Sequence, residues 1–152
     1  MPGREGDEDF MRVALDEAAL GDLPFGAVVT RDGALLARGR NRGRSARDPT
    51  AHAEMEALRA VIAAGRAERL RGATLYATGE PCAMCMGASL WCGIDRLVYG
   101  ASIPRLAEKL GQIEIGARAL AAAAPFAAME IEGGLLADEA LALFDARRRG
   151  EA

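Results

Sequence analysis

Apolar residues recur along the chain with a spacing that switches between helical and strand-like. Phe10, Val13, Ala14 and Ala18 form a helical stripe, which predicts a helix from Asp7 to Leu20 ended by Gly21. Phe25 to Thr30 and Ala34 to Arg38 are short apolar runs. Arg31-Asp32-Gly33 joins them, and Asp-Gly is a strong hairpin signal. Gly39 to Thr50 reads as a loop rich in Arg, Gly, Asn and Ser. Ala51, Met55, Leu58 and Ile62 return to helical spacing, with Asp48-Pro49-Thr50 as capping chemistry ahead of them. Gly72 opens a strand from Ala73 to Thr78. Glu80-Pro81 starts a helix from Cys82 to Trp91, stopped by Gly93. Arg96 to Tyr99 predicts a fourth strand. Pro104 to Ala123 is mainly helical in propensity, broken by Gly111 and Gly116. Ala127 to Ile131 predicts a fifth strand, and Leu136 to Arg149 a last helix beyond the Gly133-Gly134 turn.

Strands separated by helices favour one sheet with helices on both faces, an α/β fold. The opening hairpin makes that sheet mixed. The 152 residues are expected to form a single domain, residues 1–152. A chain of this length hides roughly two-thirds of its unfolded surface, so its core needs no disulfides. With 51% hydrophobic and 27% charged residues the composition excludes a disordered chain. No apolar run approaches the ~20 residues of a transmembrane helix. Met1 to Phe10 lacks the basic-then-apolar order of a signal peptide. The expected location is therefore cytoplasmic, with no membrane partner. A net charge of −3 argues against a general nucleic-acid binder.

The chemistry concentrates in two short stretches. His52 is the one histidine, in His52-Ala53-Glu54, and Pro81-Cys82-Ala83-Met84-Cys85 carries a Cys-x-x-Cys pair. One imidazole and two thiolates suit tetrahedral zinc, and three protein ligands leave a fourth position for water. At a helix start Cys82 and Cys85 share one side, and the helix dipole favours their thiolates. Glu54, in the first turn after His52, reads as a non-ligand proton shuttle. Two other readings use the same residues. A thioredoxin-like redox pair needs no histidine. A closed structural zinc site needs a fourth ligand, and Cys92 reads as core packing instead. His-x-Glu followed by Pro-Cys-x-x-Cys is a signature of zinc nucleobase deaminases.

The sequence resembles the cytidine deaminase superfamily, in its branch of guanine deaminases, tRNA adenosine deaminases and yeast-type cytosine deaminases. The matching text is Leu23-Pro24-Phe25-Gly26-Ala27-Val28-Val29, Asn41, Asp48-Pro49-Thr50-Ala51-His52-Ala53-Glu54, and Glu80-Pro81-Cys82-Ala83-Met84-Cys85-Met86-Gly87-Ala88. The resemblance implies a three-layer α/β/α sandwich around a five-stranded mixed sheet. It implies zinc on His52, Cys82 and Cys85, with Glu54 as the shuttle. It implies substrate contacts at Asn41, whose amide holds the base, and at Phe25, Ala53 and Trp91. Family members are usually homodimers.

Trp91 and Phe25 lean towards the guanine deaminases, and either ring could stack on a purine, although Phe25 also reads as a core strand residue. The expected reaction is hydrolytic deamination of a free nucleobase, guanine first, with release of ammonia. The alternative is a tRNA adenosine deaminase acting on a flipped base. A cytosine deaminase and a non-catalytic zinc module are the further alternatives. Arg31, Arg38, Arg40, Arg42, Arg44 and Arg47 crowd the hairpin and the Asn41 loop, and Arg147-Arg148-Arg149 ends the last helix. Both clusters could meet RNA phosphates. The simpler reading is a solvated loop and a helix C-terminus that welcomes cations. Ser102 to Ala124 departs from both groups of relatives, lacking the glycine- and aspartate-containing stretch of one and the aspartate-rich stretch of the other.

Overall fold

A computed structural model describes residues 3–150. Helix α1 (Asp7–Leu20) leads into the hairpin of β1 (Gly26–Arg31) and β2 (Ala34–Arg40). Then come α2 (Ala53–Ala63), β3 (Thr74–Gly79), α3 (Ala83–Cys92) and β4 (Arg96–Ala101). Two short helices, α4 (Ile103–Leu106) and α5 (Ala117–Ala123), precede β5 (Glu130–Glu132) and α6 (Ala137–Arg148). The five strands form one sheet in the order β2-β1-β3-β4-β5. β1 runs antiparallel to β2 and β3, whereas β3, β4 and β5 are parallel, so the sheet is mixed as expected. The hairpin turn places Asp32 and Gly33 at φ 52° and 76°. That is the pair of left-handed residues a two-residue turn requires.

Alternation along the strands divides the core between the two faces of the sheet. Val28, Tyr76 and Val98 lie side by side in register and pack beneath α1 with Met11 and Ala14. Their neighbours Val29, Leu75 and Leu97 point the other way, onto Leu58 and Val61 of α2 and Met86 and Leu90 of α3. Helix α6 covers the far end of the α1 face with Ala140, Leu141 and Phe144. Two glycines bring helices unusually close. A Cβ at Gly26 would collide with the Ala14 carbonyl of α1, and one at Gly39 with the Ala53 carbonyl of α2. The second contact sets the height of α2, and with it of His52 and Glu54, above the sheet.

Three elements depart from the expectation. α2 begins at Ala53 and not near Ala51, because Asp48 caps a turn instead of the helix. Its Oδ1 accepts hydrogen bonds from the Thr50 amide at 2.8 Å and the Thr50 hydroxyl at 2.7 Å. Such local bonding competes with helix formation. The stretch from Pro104 to Ala123 is not one interrupted helix. Residues 107–116 form an irregular span between α4 and α5. The fifth strand starts at Glu130, three residues later than read, because its partner β4 offers pairing only from Arg96 onwards. A 3-10 turn at Ala67–Arg69 was not anticipated.

A buried charge cluster pins the start of α1 to the parallel edge of the sheet. Arg96 donates from both terminal nitrogens to Asp7, at 2.7 Å each, and Tyr76 donates its hydroxyl to Asp7 at 2.6 Å. Burial alone would raise the Asp7 pKa, but the Arg96 guanidinium, the Tyr76 hydroxyl and the Arg4 amide hold it down at about 2. Its ordinary value is 3.8, so the stabilisation is complete above that pH and is lost as pH falls through about 2. Asp7→Asn should therefore cost about 2 kcal/mol near neutral pH. In denaturant titrations, the gap between wild type and variant should close as the pH falls from about 4 to about 2.

Candidate active site

His52 and Cys82 occupy equivalent places, each the last extended residue before a helix. His52 caps α2 at ψ 156° and Cys82 caps α3 at ψ 172°. The sheet carries both helices on one face with their N-termini at the same end. The imidazole Nδ1 of His52 lies 3.5 Å from the Cys82 sulfur and 3.6 Å from the Cys85 sulfur. Among the described residues these three donors form the one histidine–cysteine–carboxylate group able to hold a metal ion, all within 4.8 Å of one another. Tetrahedral zinc with bonds of about 2.3 Å to sulfur and about 2.0 Å to nitrogen separates such atoms by about 3.5 Å. The donor set and its spacing therefore fit zinc. Cys92 lies outside the group, half-buried against the core, in line with its reading as a packing residue.

The electrostatics of the three donors are coupled. A hydrogen bond from Cys85 pulls the Cys82 thiol down to about 4, against the effect of burial and with help from His52. The same hydrogen bond, with burial, pushes the Cys85 thiol up. Hydrogen bonding to Cys82 raises the His52 pKa. Glu54 sits in the first turn of α2, 7% exposed. Burial pushes its carboxyl up to about 7.

His52, Cys82 and Glu54 line a cavity of about 200 Å³. Phe25 and Asn41 stand on one side with Leu23. The Phe25 ring is fixed from behind by an edge contact with Phe144, at 5.3 Å between centroids. Asn41 is buried, and its Oδ1 accepts a hydrogen bond from the Gly43 amide at 3.2 Å. That bond leaves its NH2 group free to donate. Glu80, Leu110, Gly111 and Gln112 complete the lining. Residues 4–101 match the family described as the cytidine and deoxycytidylate deaminase zinc-binding region.

The chain belongs to this deaminase family.

It is a zinc-dependent hydrolytic deaminase acting on C–N bonds, within the superfamily that its motifs resemble. A tRNA-specific adenosine deaminase of Agrobacterium fabrum is 41% identical over 134 residues, which cover 86% of each protein. A solved structure of a tRNA:A34 deaminase, from a study of A-to-I editing at the wobble position, superposes with a TM-score of 0.75 at 41% identity. It covers 89% of this chain and 98% of that one. A guanine deaminase of Nitrosomonas europaea superposes with a TM-score of 0.77 at 28% identity, over 93% of this chain and 84% of that one. Some curated relatives are much longer, and the chain spans 8% of one and 17% of another. No helix among the described residues is long and apolar enough to cross a membrane.

The deaminase fold gathers five of the expected site residues around one space, His52, Glu54, Cys82, Asn41 and Phe25, with Cys85 just behind. It does not bring Trp91 there. Trp91 lies in the last turn of α3, nine residues past Cys82, which is about 13 Å of helix. It is 78% exposed and leans on Phe126 at 5.2 Å between centroids. The Ala53 side chain turns into the core between α2 and the sheet, so any substrate contact it makes is through its backbone. Two polar residues of the lining, Glu80 and Gln112, were not among the expected site residues. Glu80 read only as a helix start, although its place beside Pro81-Cys82 was a usable signal. Gln112 had no motif to mark it.

Purified deaminase should carry one zinc per chain by elemental analysis. Cys85→Ser should lose most of that metal, whereas Cys92→Ser should retain it. Equal zinc content in the two variants would refute this ligand set.

Proposed function

We propose that this deaminase converts adenosine to inosine in a transfer RNA, acting on a base turned out of the RNA into the cavity. The carrying observation is the extent of sequence likeness: 41% identity to a tRNA-specific adenosine deaminase holds across 86% of both chains, whereas the 42% identity to a guanine deaminase of Bacillus subtilis holds over 56% of this chain. The expectation of free guanine rested on the motif pair, Phe25, Trp91 and the chain's acidic balance. Phe25 lines the cavity, but Trp91 lies away from it on the surface. The volume supports a single heterocycle, since sites for drug-sized ligands run to about 300–1,000 Å³. The remainder of a large substrate then stays outside, as base flipping requires.

The loop behind Asn41 supports an RNA partner in part. Arg38 and Arg40 are held by Glu17, and Arg42 by Glu56. Arg44 lies beside Asp22. Arg47 is exposed and makes no ion pair among the described residues, so it is available to a phosphate. Arg147 is committed elsewhere. It donates to the carbonyls of Ala19, Gly21 and Asp22 and caps the end of α1.

In this reading the side chains divide the work. Bound zinc supplies the lowering of the pKa of water from about 15.7 to about 7. Asn41 donates from its free NH2 to an acceptor on the base and fixes its orientation. Phe25 packs on the ring plane. Glu54, buried beside the metal ligands, takes a proton from water and passes it to the ring nitrogen next to the reacting carbon. The C–O bond forms, the C–N bond breaks, and ammonia leaves with the second proton. We propose that the working form is a homodimer that covers the exposed Trp91–Phe126 pair.

An anticodon stem-loop RNA bearing adenosine should yield inosine by mass spectrometry, while free guanine, adenine and cytosine yield little ammonia. Turnover of guanine with none of the RNA would reject the RNA reading. Glu54→Gln should slow the reaction by about 10²–10⁴ while the zinc content stays the same. Rates should fall steeply with added salt, and Arg47→Ala should make that slope shallower by about one charge.

A further inference from the structure

Helix α6 contributes no residue to the cavity lining, yet it holds two segments that do. The first is the span 107–116, which brings Leu110, Gly111 and Gln112 to the cavity. Glu80 fixes the ends of this span, accepting from the Ile103 and Ala117 amides at 2.8 Å each. Its start rests on α6. Lys109 donates to Asp145 at 2.9 Å, and Leu110 packs against the cluster that holds Ala140, Leu141 and Phe144. The second segment is residues 21–25, between α1 and β1, which brings Leu23 and Phe25 to the cavity. Phe144 meets the Phe25 ring edge-on at 5.3 Å between centroids. Three residues further along α6, half-buried Arg147 donates to three carbonyls. Its Nη2 reaches those of Ala19 at 3.1 Å and Gly21 at 2.6 Å, and its Nη1 that of Asp22 at 3.1 Å.

Carbonyls at the end of a helix have no partner within it. α1 carries no basic residue in its last turn, so it brings no cation of its own to them. A guanidinium presents a planar fork that serves several acceptors at once, which the point charge of a lysine does not match. Both terminal nitrogens of Arg147 are thereby spent on the protein. The segment it grips passes the restraint on to the site. The Asp22 amide donates to the Asn41 carbonyl at 2.9 Å, and the Asn41 amide donates to the Phe25 carbonyl at 3.2 Å. The Asp22 carboxylate accepts from the Ser45 amide at 2.7 Å and from its hydroxyl at 3.0 Å. Residues 21–25 and the Asn41 loop are laced into one unit, and Arg147 anchors that unit to α6.

We propose that Arg147 is a positioning residue for the deamination: from α6 it sets the backbone that carries Phe25 and Asn41, and through them the placement of the base against Glu54. It lines no part of the cavity itself. The proposal rests on the cavity as the place where the base reacts, and not on whether that base belongs to an RNA. Without the anchor, His52, Glu54 and the thiols stay where α2 and α3 put them. The reacting groups are then intact but the base is held off line, and a misplacement of about 1 Å can cost about 10²-fold in rate.

The test compares zinc-loaded wild type, Arg147→Ala, Arg147→Lys and Arg148→Ala, each below its unfolding range, on stem-loop RNA bearing adenosine and on guanine. The wild type's choice between the two substrates tests the RNA reading, and the ratio of variant to wild type tests this one. Arg147→Ala should lower kcat per bound zinc by about tenfold. On RNA, where phosphates outside the cavity dominate affinity, its KM should stay within about twofold and its salt slope should not change. Arg147→Lys keeps the charge but not the fork and should lose about as much. Arg148→Ala makes the same charge change at an exposed neighbour and should keep kcat. In a Phe25→Ala background, Arg147→Ala should cost little further, because the two act through one segment. Without substrate, Arg147→Ala should speed amide hydrogen exchange in peptides covering residues 19–25 and 41–45, and leave the first turns of α2 and α3 slow. A kcat that holds while only Tm falls, a loss in KM with a shallower salt slope, or equal losses with and without Phe25 would each overturn the proposal. If Arg147→Ala does not fold, Arg147→Lys takes its place throughout. If neither substrate is turned over, exchange decides, and unchanged exchange over residues 19–25 counts against.

Discussion

A metal site made of ligands 30 residues apart in the chain depends on two helix N-termini arriving at one point. The thiol and imidazole donors stand about one tetrahedral edge apart because β1 and β3 are neighbours and because α2 and α3 share a face of the sheet. Small residues make this possible. Gly39 lets α2 settle against β2, and Ala53, fully buried between His52 and Glu54, fills the space beneath the first turn without lifting it. A bulkier residue at either position would raise the histidine off the thiols. The reactive groups are held by packing, and their electrostatic coupling follows from that placement.

The sequence was most legible where physics is local. The stripe of α1, the Asp-Gly hairpin and the cap of α3 at Gly93 all lie close to where they were read. The ligand trio was legible because imidazole and paired thiols at helix starts have few other uses. What stayed hidden depends on distant partners. The Asp48 carboxylate turned to Thr50, which delayed α2 by two residues from the expected start. Residues 107–116 have helical propensity, but Glu80 fixes the segment's ends in an arrangement that no helix can follow. Trp91 looked like a substrate platform because it ends the cysteine helix, and the length of that helix carries it out of reach.

Backbone shape leaves the substrate open, since enzymes with different named substrates superpose about equally well on this chain. The same scaffold carries different selectivities through what lines the cavity. Here the floor is shared chemistry, whereas the walls come from the Asn41 loop and from the span between α4 and α5. Those are the segments that sequence reading treated as loop or as broken helix, and irregular segments on a rigid frame commonly carry recognition.

Glu80 also joins the selective wall to the metal end of the molecule. It lies two residues before Cys82, and it grips the backbone on both sides of the span that faces the metal. Swinging that span outwards means breaking two charge-assisted bonds in a dry environment, beside the residue that sets the thiolate in place. Such a rim behaves as a fixed frame and not as a hinged door. A reactant must enter through the existing mouth, edge first, and the shape of that opening sorts molecules before any chemistry begins.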